Sequence, residues 1–184
     1  MALKTAVYLS NVTNLSDARY GAGMGVKYLG FPMDGDNAVD PDTYNEIINW
    51  VSGPLRVLEF RHSSPEQIMA IAEKNQADYL CVTSLDKAKA LCDNRYSVIW
   101  DNINDEELPE IALEAAIIHN IPVSEKTGIP YPVLLARDIS PENVDNVLGH
   151  PHLSGITLYG SDEIRPGYKD YDQIADILEA LETD

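Results

Sequence analysis

A minimal (β/α)8 TIM barrel, an α/β fold of eight parallel strands, is what this sequence predicts. Three observations carry the prediction. Short apolar runs alternate with amphipathic helical stretches, the pattern of parallel strands joined by crossovers. Eight such runs can be counted between residues 5 and 159. No Gly-rich nucleotide loop follows any of them, which disfavours the rival fold, an open doubly wound sheet. Barrels of this kind usually need roughly 250 residues, with 200 near the floor, so a chain of 184 residues is a stripped version. No linker, repeat or low-complexity tract divides it, and residues 1–184 read as one domain.

Strand one is expected at residues 5–9 and is followed by a helix over 14–23, capped by Thr13 or Asn14 and ended by Gly23 and Gly25. Strand two spans 26–31, and Asp40-Pro41 opens the next helix as a cap and a first-turn proline. Strand three is 55–60, and the helix after it starts at Ser64-Pro65-Glu66. Strand four is 78–82, followed by a short helix capped by Ser84, and strand five is 97–100. A longer helix is expected over 105–119, because Leu108, Ile111, Ala112, Ala115 and Ile118 share one helical face. Strand six then falls at 121–125 and strand seven at 132–136. Ser140-Pro141-Glu142 opens a further helix, strand eight is 155–159, and a last helix covers 171–181. That makes eight strands but seven helices. The missing helix lies between strands six and seven, where Gly128, Pro130 and Pro132 leave only a short connection. Uncovered apolar surface on that sector would favour a second copy of the chain, a homodimer.

Composition excludes several functions. The chain has 13 Lys+Arg against 30 Asp+Glu, a net charge of −17. Nucleic acid and anionic membrane surfaces both need a basic face and are not expected partners. No apolar run is long enough to span a bilayer, and the N-terminus has no signal-peptide pattern, so a cytoplasmic protein is expected. Cys81 and Cys92 cannot build a disulfide framework or a zinc site by themselves. They read as buried thiols. His62, His119, His150 and His152 show no metal-ligand spacing, and no metal or cofactor is implied.

Three segments carry a resemblance. The first is Asn11-Val12-Thr13-Asn14-Leu15-Ser16-Asp17-Ala18, with Gly23 to Phe31 behind it. The second is Leu135-Ala136-Arg137-Asp138-Ile139-Ser140-Pro141-Glu142-Asn143-Val144. The third is Ser161-Asp162-Glu163 followed by Pro166-Gly167-Tyr168-Lys169-Asp170. In order and spacing they resemble the C-G-I-T-N-x-x-D-A, L-A-G-G-L-N-P-E-N-V and G-V-E…P-G-x-K-D patterns of the phosphoribosylanthranilate isomerases of tryptophan biosynthesis. The resemblance implies the barrel fold and an Amadori rearrangement. That reaction uses a Cys base, an Asp acid, an Arg for the anthranilate carboxylate and glycine-rich loops for the phosphate.

Measured against that pattern, this sequence departs at most functional positions. Ser10 stands in the place of the Cys, and a hydroxyl is a poor base near neutral pH. It reads either as a weak catalytic group or as a strand-end hydroxyl bonded to backbone. Asn11 replaces the following Gly. The Arg position falls near Asn37, in the acidic loop Asp34-Gly35-Asp36, which reads as solvated or as a cation site with too few carboxylates. Glu125, ending strand six, is the carboxylate expected at the acid position. If strand six were instead 116–118, His119 would take that place. Arg137 and Asp138 replace the Gly-Gly after strand seven, either as a bidentate anion fork or as an ion pair that needs no ligand. The Ser140 helix start, Gly160 and Ser161 complete the expected phosphate region. Strand ends add Arg61, His62, Thr83, Asp101 and Asn102.

Two readings follow. In one, the chain is an isomerase of this lineage acting on a phosphorylated sugar adduct or an anthranilate-like molecule, with the standard reaction weak or absent. In the other, it is a non-catalytic binding or structural barrel.

Overall fold

The computed structural model describes residues 2–101, 111–119, 130–150, 153–160, 163–165, 168–169 and 172–183. Eight parallel strands close a barrel in chain order: β1 (Ala6–Ser10), β2 (Tyr28–Pro32), β3 (Leu55–Phe60), β4 (Tyr79–Val82), β5 (Val98–Asp101), β6 (Ala115–Ile118), β7 (Val133–Leu135) and β8 (Leu153–Tyr159). The seam is β8 against β1, with Ala6 opposite Gly155 and Ser10 opposite Tyr159. Beyond the barrel, β9 (Glu163–Arg165) and β10 (Tyr168–Lys169) form a small antiparallel pair that the sequence pattern did not suggest.

The helices are α1 (Leu15–Gly23), α2 (Pro41–Trp50), α3 (Pro65–Ala72), α4 (Leu85–Asp93), α5 (Val144–Leu148) and α6 (Asp172–Ala180). Their starts follow the sequence chemistry. The Asn14 side chain accepts from the Asp17 amide at 3.0 Å, and Asp40 accepts from the Asp42 and Thr43 amides. Ser64 and Gln67 form a reciprocal capping box. Ser84 occupies the cap position of α4 but makes no capping bond. The turn after α6 returns to the start of β1, where the Lys4 amide donates to the Leu181 carbonyl at 2.8 Å.

Two apolar layers hold the barrel together. The lumen is filled by Tyr8, Tyr28, Val57, Cys81, Ile99, Ala115, Ile117, Leu134 and Ala136. The outward residues of the same strands, such as Val7, Leu58, Val82, Trp100, Ala116 and Ile118, pack beneath the helices and connections. Alternation therefore separates two buried faces rather than a buried and a solvated one.

That double burial explains where the sequence reading of one region fails. Residues 115–118 form strand β6, not the end of a helix, and the strand does not lie at 121–125. A continuous apolar run such as Ala115-Ala116-Ile117-Ile118 suits a buried helix or a buried parallel strand equally well by periodicity. The tertiary pairing decides: Asp101 lies opposite Ile117, and Ile118 lies opposite Leu135. Residues 111–114 are not helical, and the connection from β6 to β7 runs from His119 to Pro132, with 120–129 outside the described residues. Among the described residues of this sector, Trp100, Ala116, Ile118 and Val133 are all buried, while most of the connection that was expected to leave the sector bare lies outside the described residues.

Candidate active site at the barrel mouth

In a parallel barrel every strand delivers its C-terminal residue to one end, and chemistry collects there. On β5 and β8 those residues are Asp101 and Tyr159, and His119 stands one residue past the end of β6. The Asp101 Oδ1 lies 2.5 Å from His119 Nε2, and both side chains are mostly buried. The Tyr159 hydroxyl stands 3.5 Å from the same nitrogen, its ring tilted 30° to the imidazole. A carboxylate on one ring nitrogen fixes the tautomer and orientation of a histidine and leaves the other nitrogen for proton exchange. Burial, then the Asp101 and Glu59 charges, push the Tyr159 phenol well up, so it remains protonated and can donate.

A second acidic centre lies opposite, on β3. Glu59 points into the lumen, where its Oε1 accepts from the Tyr8 hydroxyl and its Oε2 accepts from the Asn11 amide at 3.2 Å. The Ser10 hydroxyl also hydrogen-bonds this carboxylate. Gly30 on β2 makes the space: a Cβ there would overlap the Glu59 carboxylate and the Tyr8 hydroxyl. Burial raises the Glu59 pKa, and the three hydrogen bonds only partly offset it. Tyr8, Ser10, Glu59, Arg61, Cys81, Thr83 and Asp101 together line a small polar pocket at the top of the lumen. Burial also pushes the Cys81 thiol far up, with Asp101 and Glu59 adding to it, so this cysteine supplies no thiolate.

The expected site residues fare differently. Ser10 is in place and 6% exposed, bonded to Glu59 rather than free to act as a base. Glu125 lies outside the described residues, and it does not end strand six; His119 follows β6 and occupies the position expected of the acid. Ser161 also lies outside the described residues. The Gly160 amide donates to the Ser10 carbonyl at 2.9 Å, so it closes the β8–β1 seam and is not open to an anion. Arg137 is exposed and makes no ion pair among the described residues; the expected pairing with Asp138 is absent. The helix after β7 begins at Val144, later than expected, and the Ser140 amide is taken by the Asn143 side chain at 2.9 Å. Asn37 sits exposed on its loop. Asp34 is no cation ligand, because its carboxylate accepts from the Arg61, His62 and Ser63 amides at 2.7–2.8 Å. Partial burial works against that carboxylate, but the three amides hold its pKa below the usual value.

Two features of the family pattern survive in backbone form. Asn11 and Asp138 stand where the resembling sequences have glycine, and both adopt positive φ, 60° and 56°. Asn and Asp tolerate this region better than other side chains. Sequence reading missed the Tyr8–Glu59 pair. The available signal was a Glu inside the apolar run of strand three, between Leu58 and Phe60. Among the described residues no three His, Cys, Asp or Glu side chains converge on a metal-sized site.

A cleft of about 200 Å³ opens beside β7 and β8, lined by Arg137, Asp138, Thr157, Tyr159, Ile174 and Ile177 among others. The Thr157 hydroxyl is buried there without a partner among the described residues.

No family model matches the chain. An N-(5'-phosphoribosyl)anthranilate isomerase of Synechococcus sp. (strain JA-2-3B'a(2-13)) is 41% identical over 59 residues, which is 32% of this chain and 25% of that protein. The alignment thus spans a quarter of the relative's length. Across the whole fold, the phosphoribosyl anthranilate isomerase of Thermus thermophilus superposes with a TM-score of 0.75 at 21% identity, covering 96% of this chain and 98% of that one. A phosphoribosyl anthranilate isomerase solved in complex with reduced 1-(o-carboxyphenylamino)-1-deoxyribulose 5-phosphate gives 0.76 at 19% identity, with the same coverage. These likenesses establish the barrel.

Proposed function

We propose that this chain, a relative of the phosphoribosylanthranilate isomerases, performs acid–base chemistry on a small molecule at its barrel mouth, and that isomerisation of phosphoribosylanthranilate itself is weak. The observation that carries this reading is the His119–Asp101 pair at 2.5 Å, just past the end of strand six, where the resemblance leads one to expect the acid. Moving a double bond between neighbouring atoms needs one group to give a proton and another to take one. An imidazole oriented by a carboxylate does this near neutral pH.

Weakness follows from binding and from the base. The Gly160 and Ser140 amides are both engaged within the protein, and Arg137 is a single exposed cation on a chain of net charge −17. Ser10 is a hydroxyl and the buried Cys81 stays a protonated thiol, so neither supplies the thiolate base that the resemblance implies.

The test is conversion of phosphoribosylanthranilate by purified protein in enzyme excess, alongside rescue of a tryptophan auxotroph that lacks this isomerase. Slow single-turnover conversion without full rescue is expected, and His119→Ala should slow it by on the order of 10²–10⁴. Fast multiple turnover with full rescue would refute the weakness. Conversion untouched by His119→Ala would refute the role of the pair.

A second reading has support in the cleft beside β7 and β8, where the unpartnered Thr157 hydroxyl and Arg137 face one space. A non-catalytic barrel would hold a small phosphorylated sugar there. Calorimetry with ribose 5-phosphate that shows binding without any conversion would favour it.

A further inference from the structure

We propose that Glu59 is the proton acceptor of this barrel mouth, taking a proton from a carbon of the bound molecule while His119 supplies one to its heteroatom. This rests on the acid–base reading above and adds the group that reading leaves open.

The carboxylate is built into its place. Tyr8 holds Oε1 from below, the Asn11 amide holds Oε2 at 3.2 Å, and the Ser10 hydroxyl binds the same group. Asn11 adopts a left-handed backbone, φ 60°, to present that amide. Gly30 is the neighbour without which the Tyr8–Glu59 pair would not fit. Strain and a cleared space around a lumenal carboxylate mark a functional group more readily than a structural one.

A purely structural acid in such a position would be matched by a cation. Among the described residues Glu59 forms no ion pair. The titratable and charged groups around it are Tyr8 on β1, Cys81 on β4, Asp101 on β5, Tyr159 on β8 and Arg61 just past the end of β3. Burial is the main cause that raises the affinity of Glu59 for a proton, and the Asp101 charge adds to it, while the Tyr8 hydroxyl works the other way. A carboxylate moved up toward the working pH is a better base than an ordinary one. The same pocket that exposes Glu59 to the mouth also holds Asp101, the partner of His119.

The step balances within the substrate. The C–H bond beside a C=N or C=O group breaks, and its proton goes to Glu59. The electron pair forms a C=C bond to the neighbouring carbon. The π pair of the C=N or C=O group moves onto nitrogen or oxygen, which is protonated from His119. The substrate class is therefore an aldose-derived imine or a carbonyl compound with a hydrogen on the adjacent carbon.

Phosphoribosylanthranilate in D2O, with enzyme in excess and NMR detection, reads out both conversion and deuterium entry, at the former imine carbon in the product and at the carbon that loses its proton in returned substrate. Glu59→Gln should slow the reaction by on the order of 10²–10⁴, with the melting temperature kept and substrate binding unchanged. Glu59→Asp should recover at least part of the loss. The wild-type rate should rise with pH through an acidic limb that Glu59→Gln removes. Wild-type activity that survives Glu59→Gln would overturn this assignment and leave the acid–base reading standing. A loss in Glu59→Gln with the acidic limb kept would make Glu59 a positioning residue and also overturn it. Absence of any reaction or exchange in wild type would overturn both.

Discussion

Gly30→Ala places a methyl group on the floor of the mouth, where two side chains already meet. Its Cβ would overlap the Tyr8 hydroxyl and the Glu59 carboxylate, and would lie 2.7 Å from Glu59 Cδ. Ordinary contact begins near 3.4 Å, so the carboxylate must move by roughly 1 Å or more. It cannot do so and keep both the Tyr8 hydroxyl and the Asn11 amide. Each hydrogen bond to a charged group is worth about 1.5–3 kcal/mol. A displaced carboxylate turns toward the mouth and regains part of this from water, which leaves a loss of about 2–3 kcal/mol. The alanine returns about 0.5 kcal/mol by restricting the unfolded chain. The net cost, about 2 kcal/mol, lowers the melting temperature by about 4–8 °C for a chain of this size. Gly23→Ala is the matched control, because its Cβ would meet nothing within 4 Å and it lies in α1. That variant should gain about 0.5–1 kcal/mol. Thermal unfolding of both variants, followed by circular dichroism, decides the matter. A Gly30→Ala protein as stable as wild type would show that the Tyr8–Glu59 contact is not the rigid unit described here.

Asp34→Asn should destabilise by about 2 kcal/mol at pH 7, since its three amide bonds lose a charged acceptor. The folded pKa of Asp34 is lowered, so its contribution is present above the ordinary aspartate range and is lost as pH falls through the folded value; denaturant melts should therefore converge for variant and wild type as pH falls below that range. Asp101→Asn keeps the shape of the histidine contact but removes its charge, and should lower kcat by on the order of 10²–10⁴ with little change in KM, checked by single-turnover assay. Asp138→Gly should be neutral within about 0.5 kcal/mol and Asp138→Val should cost about 1–2 kcal/mol in the same melts, because φ at this residue is 56° and a β-branched side chain fits that region poorly.

What the sequence by itself determined is the barrel and most of its elements. The helix starts at Asn14, Asp40 and Ser64 rest on capping chemistry that acts within three residues, so local sequence suffices to place them. The strand–helix alternation is likewise local, and with the handed crossover rule it leaves few topologies. Ser10 at the end of strand one and Asp101 at the end of strand five were legible for the same reason. The tertiary structure alone decided the register of strand six, because a short run buried on both faces has no period to read. That register put His119, not Glu125, just past the end of strand six and 2.5 Å from Asp101, which lies 18 residues earlier in the chain. The Tyr8–Glu59 contact spans 51 residues. It depends on two strands turning their inward faces to one lumen and on a glycine in a third giving them room. No local pattern encodes which inward residues of a closed barrel will stand at the same height. That is set by the stagger of the strands around the ring, and so by the fold as a whole.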